Sequence, residues 1–225
     1  MDIRRSLNSQ SLAEDAARYI AERIRKVIAK KGSCHLSLAG GGTPKTTYEL
    51  LRQQPIDWSR LHIWFGDERC LPVGDSERND TMVRLALLNH IPLPDNHVHP
   101  IPAERGATAA AAAYTKELSD IAGLDIILLG MGEDGHTASL FPENVALELS
   151  EAAVPVFDAP KPPAERVSLS LNFIRRAEER IILLSGAGKR EILSRIIGGE
   201  RFPASEVGTA TWFVDAAASP DCRDC

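Results

Sequence analysis

The stretch DIILLGMGEDGHTASLFP, residues 125–142, joins a run of apolar residues to a glycine-rich turn that holds a histidine. Such an apolar run is typical of a strand buried on both faces, as in a parallel sheet covered by helices. The glycines of the turn allow its backbone to approach a ligand, and Asp134 and His136 project from the same turn. Because an imidazole titrates near neutral pH, it is suited to take up a proton and return it. A lone histidine is more often structural, but this setting favours a functional His136.

Strand and helix patterns alternate over most of the chain. Segments with apolar residues at helical spacing follow most of the apolar segments that indicate strands. Such alternation favours a parallel sheet covered on both faces. We therefore predict one α/β domain over residues 1–225, with a mainly parallel, Rossmann-like sheet flanked by helices on both faces. The predicted strands are CHLSL, LHIWF, DIILLG, RVSLSL, RIILLSG and TATWFV, with HVHPIP as a short edge strand because its prolines forbid full pairing.

Helices are predicted between these strands. The first begins at a capping box of Ser11 and Glu14. The second is entered at Pro44, since proline suits the first helical turn. The third has Asn79 or Asp80 as its N-cap. Two further helices are expected, one in the alanine-rich segment GATAAAAAYTKELSDIAG and one in GKREILSRIIGG. The second is expected to end at its glycines.

Composition and charge exclude several classes of protein. The 225 residues carry a net charge of −5, which argues against a nucleic-acid surface because phosphate-backbone binding needs a basic stripe. No apolar run approaches the roughly 18 residues that span a bilayer, and the polar N-terminus lacks the pattern of a signal peptide. We expect a cytoplasmic protein that binds a small molecule and neither nucleic acid nor membrane. The sequence leaves the oligomeric state open, and we favour a monomer.

Cysteine and histidine spacings do not indicate a metal site. The single C-x-x-C pair, in the terminal CRDC, is a weak zinc or redox motif, and we expect free thiols at all four cysteines. The sequence lacks HExxH and lacks Cys/His pairs with zinc spacing. We therefore predict no metal and no cofactor. The residues considered are Cys34, Cys70, Cys222, Cys225, His62, His90, His97 and His99.

Unusual side chains follow four of the predicted strands, at Gly40–Thr43, Gly66–Arg69, Gly130–His136 and Gly186–Lys189. Because ligands bind beyond the carboxyl ends of parallel strands, we expect these four strand exits to open onto one edge of the sheet. The GGGTP exit has neither a P-loop nor a dinucleotide fingerprint, but its N–H groups at a helix start suit a phosphate or a carboxylate. A tight turn that binds nothing is equally compatible with GGGTP alone.

Charged side chains at these exits complete a possible anion site. Arg69 of FGDER can hold a phosphate through two parallel hydrogen bonds, and Asp67 can orient a base or a substrate hydroxyl. Lys189, behind glycines at a helix start, adds a positive charge. In isolation these residues are more typical of a solvated loop and a surface lysine, so their position favours function. Ser139 lacks a nucleophile elbow, so no serine triad is predicted.

Six blocks of sequence, in order, resemble the 6-phosphogluconolactonase family of Rossmann-like type, which is related to the glucosamine-6-phosphate isomerase/deaminase family. They are LAGGGTPKTTYELL, IWFGDERCLPVGDSERND, DIILLGMGEDGHTASLFP, RVSLSL, ILLSGAGKREIL and TWFVDAAA. The resemblance implies hydrolysis of 6-phosphogluconolactone to 6-phosphogluconate in the oxidative pentose phosphate pathway. It implies no cofactor and no covalent intermediate.

The resemblance also implies roles for individual residues. His136 is expected to be the general base that activates water, with Asp67 orienting the imidazole or the water and Arg69 as a third catalytic residue. The oxyanion donor is left open between Arg69 and backbone N–H groups of the glycine turns. The expected substrate-binding residues are Gly41, Gly42, Thr43, Arg69, Asp134 and Lys189.

Two other functions are weighed against this one. An amino-sugar phosphate isomerase/deaminase has a similar Asp-Gly-His turn, but that family typically continues with an Asn-Glu pair, whereas this chain continues Thr-Ala-Ser-Leu-Phe at 137–141. The missing carboxylate disfavours ring opening and aldose–ketose proton transfer. A noncatalytic sugar-phosphate sensor is disfavoured because the chain has no basic helix-turn-helix for reading DNA.

Overall fold

Six strands form one parallel sheet, so their carboxyl ends lie at a single edge. The computed structural model describes residues 1–220, where the strands are β1 (Asp2–Ser6), β2 (Cys34–Leu38), β3 (Leu61–Phe65), β4 (Asp67–Arg69), β5 (Ile126–Leu129), β6 (Ala153–Val156), β7 (Arg166–Leu169), β8 (Glu179–Leu184) and β9 (Thr211–Asp215). The parallel sheet has the order β1-β9-β8-β5-β2-β3. The chain leaves β2 toward β3 on one side and returns to β5 on the other. The crevice of this doubly wound sheet therefore lies where β2 and β5 end.

The three remaining strands form a small antiparallel sheet with the order β4-β7-β6. RVSLSL, predicted as a strand beside the others, is a strand but belongs to this smaller sheet. Its alternation of apolar and polar residues did not reveal which sheet it joins. β1, β4 and β6 were not predicted. β4 directly follows β3, so the small sheet stands beside the edge where the large sheet ends.

Helices flank the large sheet, as the sequence predicts for the α/β class. They are α1 (Ser9–Lys31), α2 (Gly42–Leu51), α3 (Asn79–Ala86), α4 (Ala107–Leu118), α5 (Leu171–Arg175) and α6 (Arg190–Ile197). α1 packs on α2 and on β1, β2 and β9, while α4 packs on β6 and β7. Buried Leu12, Ile20 and Ile24 form the inner face of α1. None of the helices within residues 1–220 combines the length and the apolar character that a membrane span requires.

Three predicted details of the local structure are wrong. The capping box of α1 is formed by Asn8 and Ser11, not by Ser11 and Glu14, because the helix starts before Ser11 and the Asn8 side chain accepts from its N–H at 2.9 Å. α3 includes Asn79 and Asp80 as its first residues, so neither is its N-cap. HVHPIP is not a strand: it makes a single bridge, from Val98 to β3, and prolines follow directly.

Two buried tyrosines fix the ends of β2 and β3. The Tyr48 hydroxyl, on α2, accepts from the N–H of Ala39 and donates to its carbonyl, both at 2.8 Å. The Tyr114 hydroxyl, on α4, does the same at Phe65, at 2.9 and 3.2 Å. Backbone groups that leave a buried strand need such partners, since an unpaired one is costly. Each tyrosine therefore holds the residue just before a glycine turn.

The predicted free thiols are observed where the structure describes them, at Cys34 and Cys70. Cys34 is buried on β2 and Cys70 follows β4. Burial raises the pKa of the Cys70 thiol to about 11 and holds the Cys34 thiol in its neutral form even more strongly. Neither is a reactive thiolate at neutral pH. The predictions for Cys222, Cys225 and the CRDC segment lie outside the described residues.

Candidate active site

The four strand exits meet around one cavity of about 220 Å³. Each exit contributes to its wall, as the parallel sheet requires. The small antiparallel sheet closes one side, because β4 and β7 both carry lining residues. The lining residues are Ala39, Gly40, Gly41, Asp67, Arg69, Asn79, Gly130, Met131, Gly132, His136, Ala138, Lys161, Arg166 and Lys189.

The imidazole of His136 is held by a carboxylate on its own turn. Its Nδ1 lies 2.5 Å from Oδ1 of Asp134, and its ring packs on Phe141 with centroids 4.5 Å apart. Gly132 is needed because a Cβ at that position would lie only 2.0 Å from Nδ1 of His136. Within residues 1–220, Nε2 of His136 has no hydrogen-bond partner, so this nitrogen remains available to a molecule in the cavity.

Burial and charge act in opposite directions on this pair. Burial lowers the pKa of His136 below its ordinary value, while Asp134 and Asp67 attract the proton and limit the decrease. Burial alone would raise the pKa of Asp134, but the neighbouring His136 lowers it overall. The result is a neutral imidazole beside an ionised carboxylate at pH 7. This is the protonation state that a general base needs.

Asp67 is buried and held by two side chains other than His136. Its Oδ2 accepts from the Ser139 hydroxyl at 2.6 Å, and its Oδ1 accepts from Nδ2 of Asn79 at 3.1 Å. Asp134, not Asp67, is therefore the hydrogen-bond partner of the imidazole. The negative charge of Asp67 still acts on His136 across the cavity.

Four cationic side chains line the cavity, more than the sequence predicted. Arg69 and Arg166 are opposite each other in the β4–β7 register, and Lys161 and Lys189 come from two other segments. Arg166 is buried, and its guanidinium donates to the carbonyls of Lys161 and Pro163 at 2.9 and 3.1 Å. Burial lowers the pKa of Lys189, opposed by the charge of Glu133. A cavity with this many positive charges fits an anionic ligand.

Arg69 keeps part of its hydrogen-bonding capacity unused. One of its terminal nitrogens donates to the carbonyl of Glu77. Its Nε is buried and has no hydrogen-bond partner in the described part of the chain. Because a buried donor without a partner is costly, this guanidinium is ready for an acceptor such as a phosphate or oxyanion.

The other predicted residues lie at varying distances from the cavity. Gly41 lines it, and Gly42 lines an adjoining pocket of about 300 Å³ that shares Gly41, Arg69 and Asn79. Thr43 lines neither pocket. Its hydroxyl bonds to Ser185 at 2.7 Å and so joins the first exit to the fourth. Asp134 is behind the imidazole and lines a different surface pocket.

Sequence reasoning missed three polar or charged lining residues. Asn79 was considered only as a helix cap, yet its side chain bonds to Asp67. Arg166 begins a strand assigned to the wrong sheet, so its approach to Arg69 was not foreseen. Lys161 lies in a proline-rich segment that gave no signal. The one available signal for Arg166 was its charge at the start of an otherwise apolar strand pattern.

Metal ligation finds no support in the described residues. Within residues 1–220, no group of three or more His, Cys, Asp or Glu side chains is placed to hold a metal ion. Each site residue either has hydrogen-bond partners in the protein or faces the cavity. Together these residues supply a base, His136, two carboxylates, Asp67 and Asp134, and four cations. These groups can carry out proton transfer and bind an anion.

Comparison with known proteins places this chain in a family. The family model described as glucosamine-6-phosphate isomerases/6-phosphogluconolactonase matches residues 7–214. A 6-phosphogluconolactonase of Mycobacterium leprae is 38% identical, with 94% of each chain covered. One of Synechocystis is 34% identical, with 96% of each chain covered.

Solved structures agree in fold and in length. A 6-phosphogluconolactonase from Thermotoga maritima superposes with a TM-score of 0.89 at 26% identity, covering 95% of this chain and 99% of that one. One from Trypanosoma brucei gives a TM-score of 0.87 at 28% identity, covering 96% and 97%. The family match extends over most of the sequence and includes all four strand exits. This chain therefore belongs to the glucosamine-6-phosphate isomerase/6-phosphogluconolactonase family.

Proposed function

We propose that this protein is a 6-phosphogluconolactonase, which hydrolyses 6-phosphogluconolactone to 6-phosphogluconate in the oxidative pentose phosphate pathway. The observation that carries the proposal concerns His136, which lies in a cavity lined by four cations. One nitrogen of its imidazole is paired with a carboxylate, and the other has no partner in the described part of the chain. The names of the curated relatives support the substrate. We further propose that residues 1–225 form one lactonase domain that acts as a monomer without a cofactor.

In this proposal His136 serves both proton transfers. Its Nε2 takes a proton from water as the water oxygen bonds to the lactone carbonyl carbon. The tetrahedral intermediate then collapses, the bond between that carbon and the ring oxygen breaks, and the protonated His136 gives its proton to the departing oxygen. Water is the nucleophile, so no covalent bond forms between enzyme and substrate. Asp134 fixes the imidazole and stabilises its charged form.

The cations hold the phosphate in this proposal. Arg69 and Lys189 bind its oxygens, with Lys161 and Arg166 as further positive charges and with backbone N–H groups of Gly41 and Gly42 nearby. Binding of the phosphate away from the carbonyl fixes the reacting geometry. Thr43 contributes indirectly, by tying the first exit to the fourth through Ser185. Lactones without a phosphate should therefore react poorly.

A second candidate is the isomerase/deaminase activity that shares the family. The fold does not discriminate, since a glucosamine-6-phosphate deaminase superposes with a TM-score of 0.85 at 21% identity. The turn after His136 does discriminate: residues 137–141 carry no carboxylate, and the hydroxyl of Ser139 is bonded to Asp67. The deaminase family typically carries an Asn-Glu pair at this point, and this chain lacks it. The lactonase is therefore the better fit.

The test is a coupled assay. Freshly generated lactone is mixed with the protein and 6-phosphogluconate dehydrogenase, and nicotinamide reduction is followed after subtraction of the enzyme-free rate. We expect acceleration by the folded protein, reduced about a thousandfold in His136→Asn. Ammonia release from glucosamine 6-phosphate would favour the deaminase instead. Substrate binding without turnover would reject the enzyme in favour of a sensor.

A further inference from the structure

FGDER contains a second carboxylate, Glu68, that the proposed chemistry does not use. Its side chain points away from the cavity and is completely buried. A buried carboxylate is unusual unless donors surround it. Here three backbone N–H groups do so, each at 2.8 Å, and they belong to Arg69, Asn79 and Asp80.

Two of these donors form the start of a helix. Asn79 and Asp80 are the first residues of α3, and the preceding Arg78 makes no side-chain cap bond. The Glu68 carboxylate therefore takes the place of a cap from a distant part of the chain, because it accepts from N–H groups that the helix itself leaves unpaired. Arg78 lies 3.9 Å away and encloses the carboxylate further. Glu68 thereby fixes the position of α3 against β4.

The helix start in turn places the Asn79 side chain across two strand exits. Its Nδ2 donates to the carbonyl of Asp67 at 2.9 Å and to the carboxylate of Asp67 at 3.1 Å. On its other side it lies against Gly40, where an added Cβ would come within 1.9 Å of its Oδ1. A rotation of α3 would therefore move Asn79 and release one side of Asp67.

We propose that Glu68 is a positioning residue of the active site, which holds the first turn of α3 so that Asn79 fixes the carboxylate of Asp67 at the cavity. This proposal rests on the proposed lactonase function for its kinetic consequences. Its structural consequence is independent of turnover, because Asp67 acts electrostatically on His136 in the resting protein.

Glu68→Gln is the sharpest variant. The amide oxygen can keep the bonds from Arg69 and Asn79, while the amide NH₂ opposes the N–H of Asp80 as donor against donor. We expect the pKa of His136, followed by NMR of the resting protein, to fall by about half a unit, because a less fixed Asp67 attracts the proton less. We expect kcat to fall about tenfold with little change in KM, since the misplacement affects the reacting groups rather than the phosphate.

A double-mutant cycle with Asn79→Ala separates positioning from general stability. If Glu68 acts through Asn79, Glu68→Gln should change kcat less than about twofold when Asn79 is already alanine. Equal effects in both backgrounds would overturn the proposal. Glu104→Gln is the matched control, because Glu104 contacts the same Arg78, at 3.2 Å, from its outer side, with no bond to α3. It should leave kcat and the pKa of His136 unchanged.

The two proposals can fail separately. If the wild-type protein does not open the lactone, the lactonase assignment is rejected, and the NMR titration still decides the role of Glu68. If Glu68→Gln does not fold, Glu68→Asp replaces it, because the shorter side chain keeps the carboxyl group but cannot reach all three donors. Folded Glu68→Asp with the wild-type pKa of His136 and the wild-type kcat would overturn the positioning role.

Discussion

His136 and His99 are two histidines with nearly the same surroundings and different capabilities. Their side chains are 20% and 18% exposed, and each has Nδ1 on a carboxylate, Asp134 at 2.5 Å or Glu117 at 2.6 Å. They differ at the second nitrogen. Nε2 of His99 lies 3.3 Å from Nδ1 of His62, whereas Nε2 of His136 has no partner within residues 1–220. A carboxylate–imidazole pair therefore becomes a base only where its outer nitrogen meets a cavity.

The neighbours of His99 occupy its ring and its second nitrogen. It belongs to four stacked imidazoles, which we call the histidine column: His35, His62, His97 and His99. The centroids of His62 and His97 are 4.1 Å apart, and His99 stacks on Trp64 at 4.0 Å. Burial, with the neighbouring imidazoles adding to it, lowers the pKa of His62 to about 4. The histidine column therefore contributes to packing, whereas the turn of His136 forms part of the candidate active site.

The largest expected effect separates these two histidines by activity. His136→Asn should lower kcat about a thousandfold, because general base catalysis is typically worth 10²- to 10⁴-fold. It should leave the melting temperature near that of the wild type, since the ring borders a cavity. His99→Asn should do the reverse, with kcat retained and stability lost. The coupled assay and thermal unfolding measure both quantities, and similar kcat losses in the two variants would contradict the comparison.

The next effect concerns the carboxylates that pair with the two histidines, Asp134 with His136 and Glu117 with His99. Asp134→Asn should lower kcat about a hundredfold, because the imidazole loses its orienting acceptor and the support for its charged form. It should also lower the pKa of His136, since Asp134 raises it, and so move the acidic limb of kcat/KM to lower pH. Glu117→Gln removes the equivalent partner of His99. An acidic limb that stays in place in Asp134→Asn would disprove this coupling.

A third effect concerns the four cations that line the cavity beside His136. Lys189→Met should raise KM about tenfold, as expected for loss of one charge-assisted hydrogen bond at a partly exposed position, and change kcat little. Lys116, exposed on α4 beside the residue that holds His99, is the control. Initial rates over a range of lactone concentrations separate the two constants. A kcat loss without a KM change would place Lys189 in the chemistry instead of in phosphate binding.

The sequence predicted the surroundings of His136 better than those of His99. A buried strand followed by glycines and a histidine fixes its own geometry, because Asp134 and His136 are two residues apart and Gly132 makes the room. The convergence of the four exits follows from parallel strands ending at one edge. These predictions needed only local pattern and the rule for parallel sheets.

What the sequence could not provide depends on contacts between distant segments. Asn79 reaches Asp67 only because Glu68 holds α3, and no local pattern encodes that bond. Arg166 meets Arg69 through a three-residue strand, β4, which is too short to show a period. The alternation of HVHPIP predicted an edge strand, but His99 turns its ring onto Trp64 and the prolines prevent a ladder.

The smallest expected effect is the pH dependence of stability, and it belongs to the column. Burial lowers the folded-state pKa of His62 and of His35 below the ordinary value of 6.5. His62 and His35 therefore bind fewer protons in the folded protein than in the unfolded chain, so their contribution to stability is complete above about pH 6.5 and declines as the pH falls toward 4. Both rings are partly exposed, and solvent screening limits the loss to about 1 kcal/mol.

Urea unfolding at pH 7.5, 6 and 5 measures this loss. Asp125, Lys31 and Glu117 also act near the column, but they are common to every variant compared. His62→Asn should flatten the decline between pH 6.5 and 5, because the ring with the most strongly lowered pKa is gone. His90→Asn should retain it, since His90 is exposed and lies outside the column. An unchanged decline in His62→Asn would mean that other groups cause the decline, and that His62 contributes packing without any proton linkage.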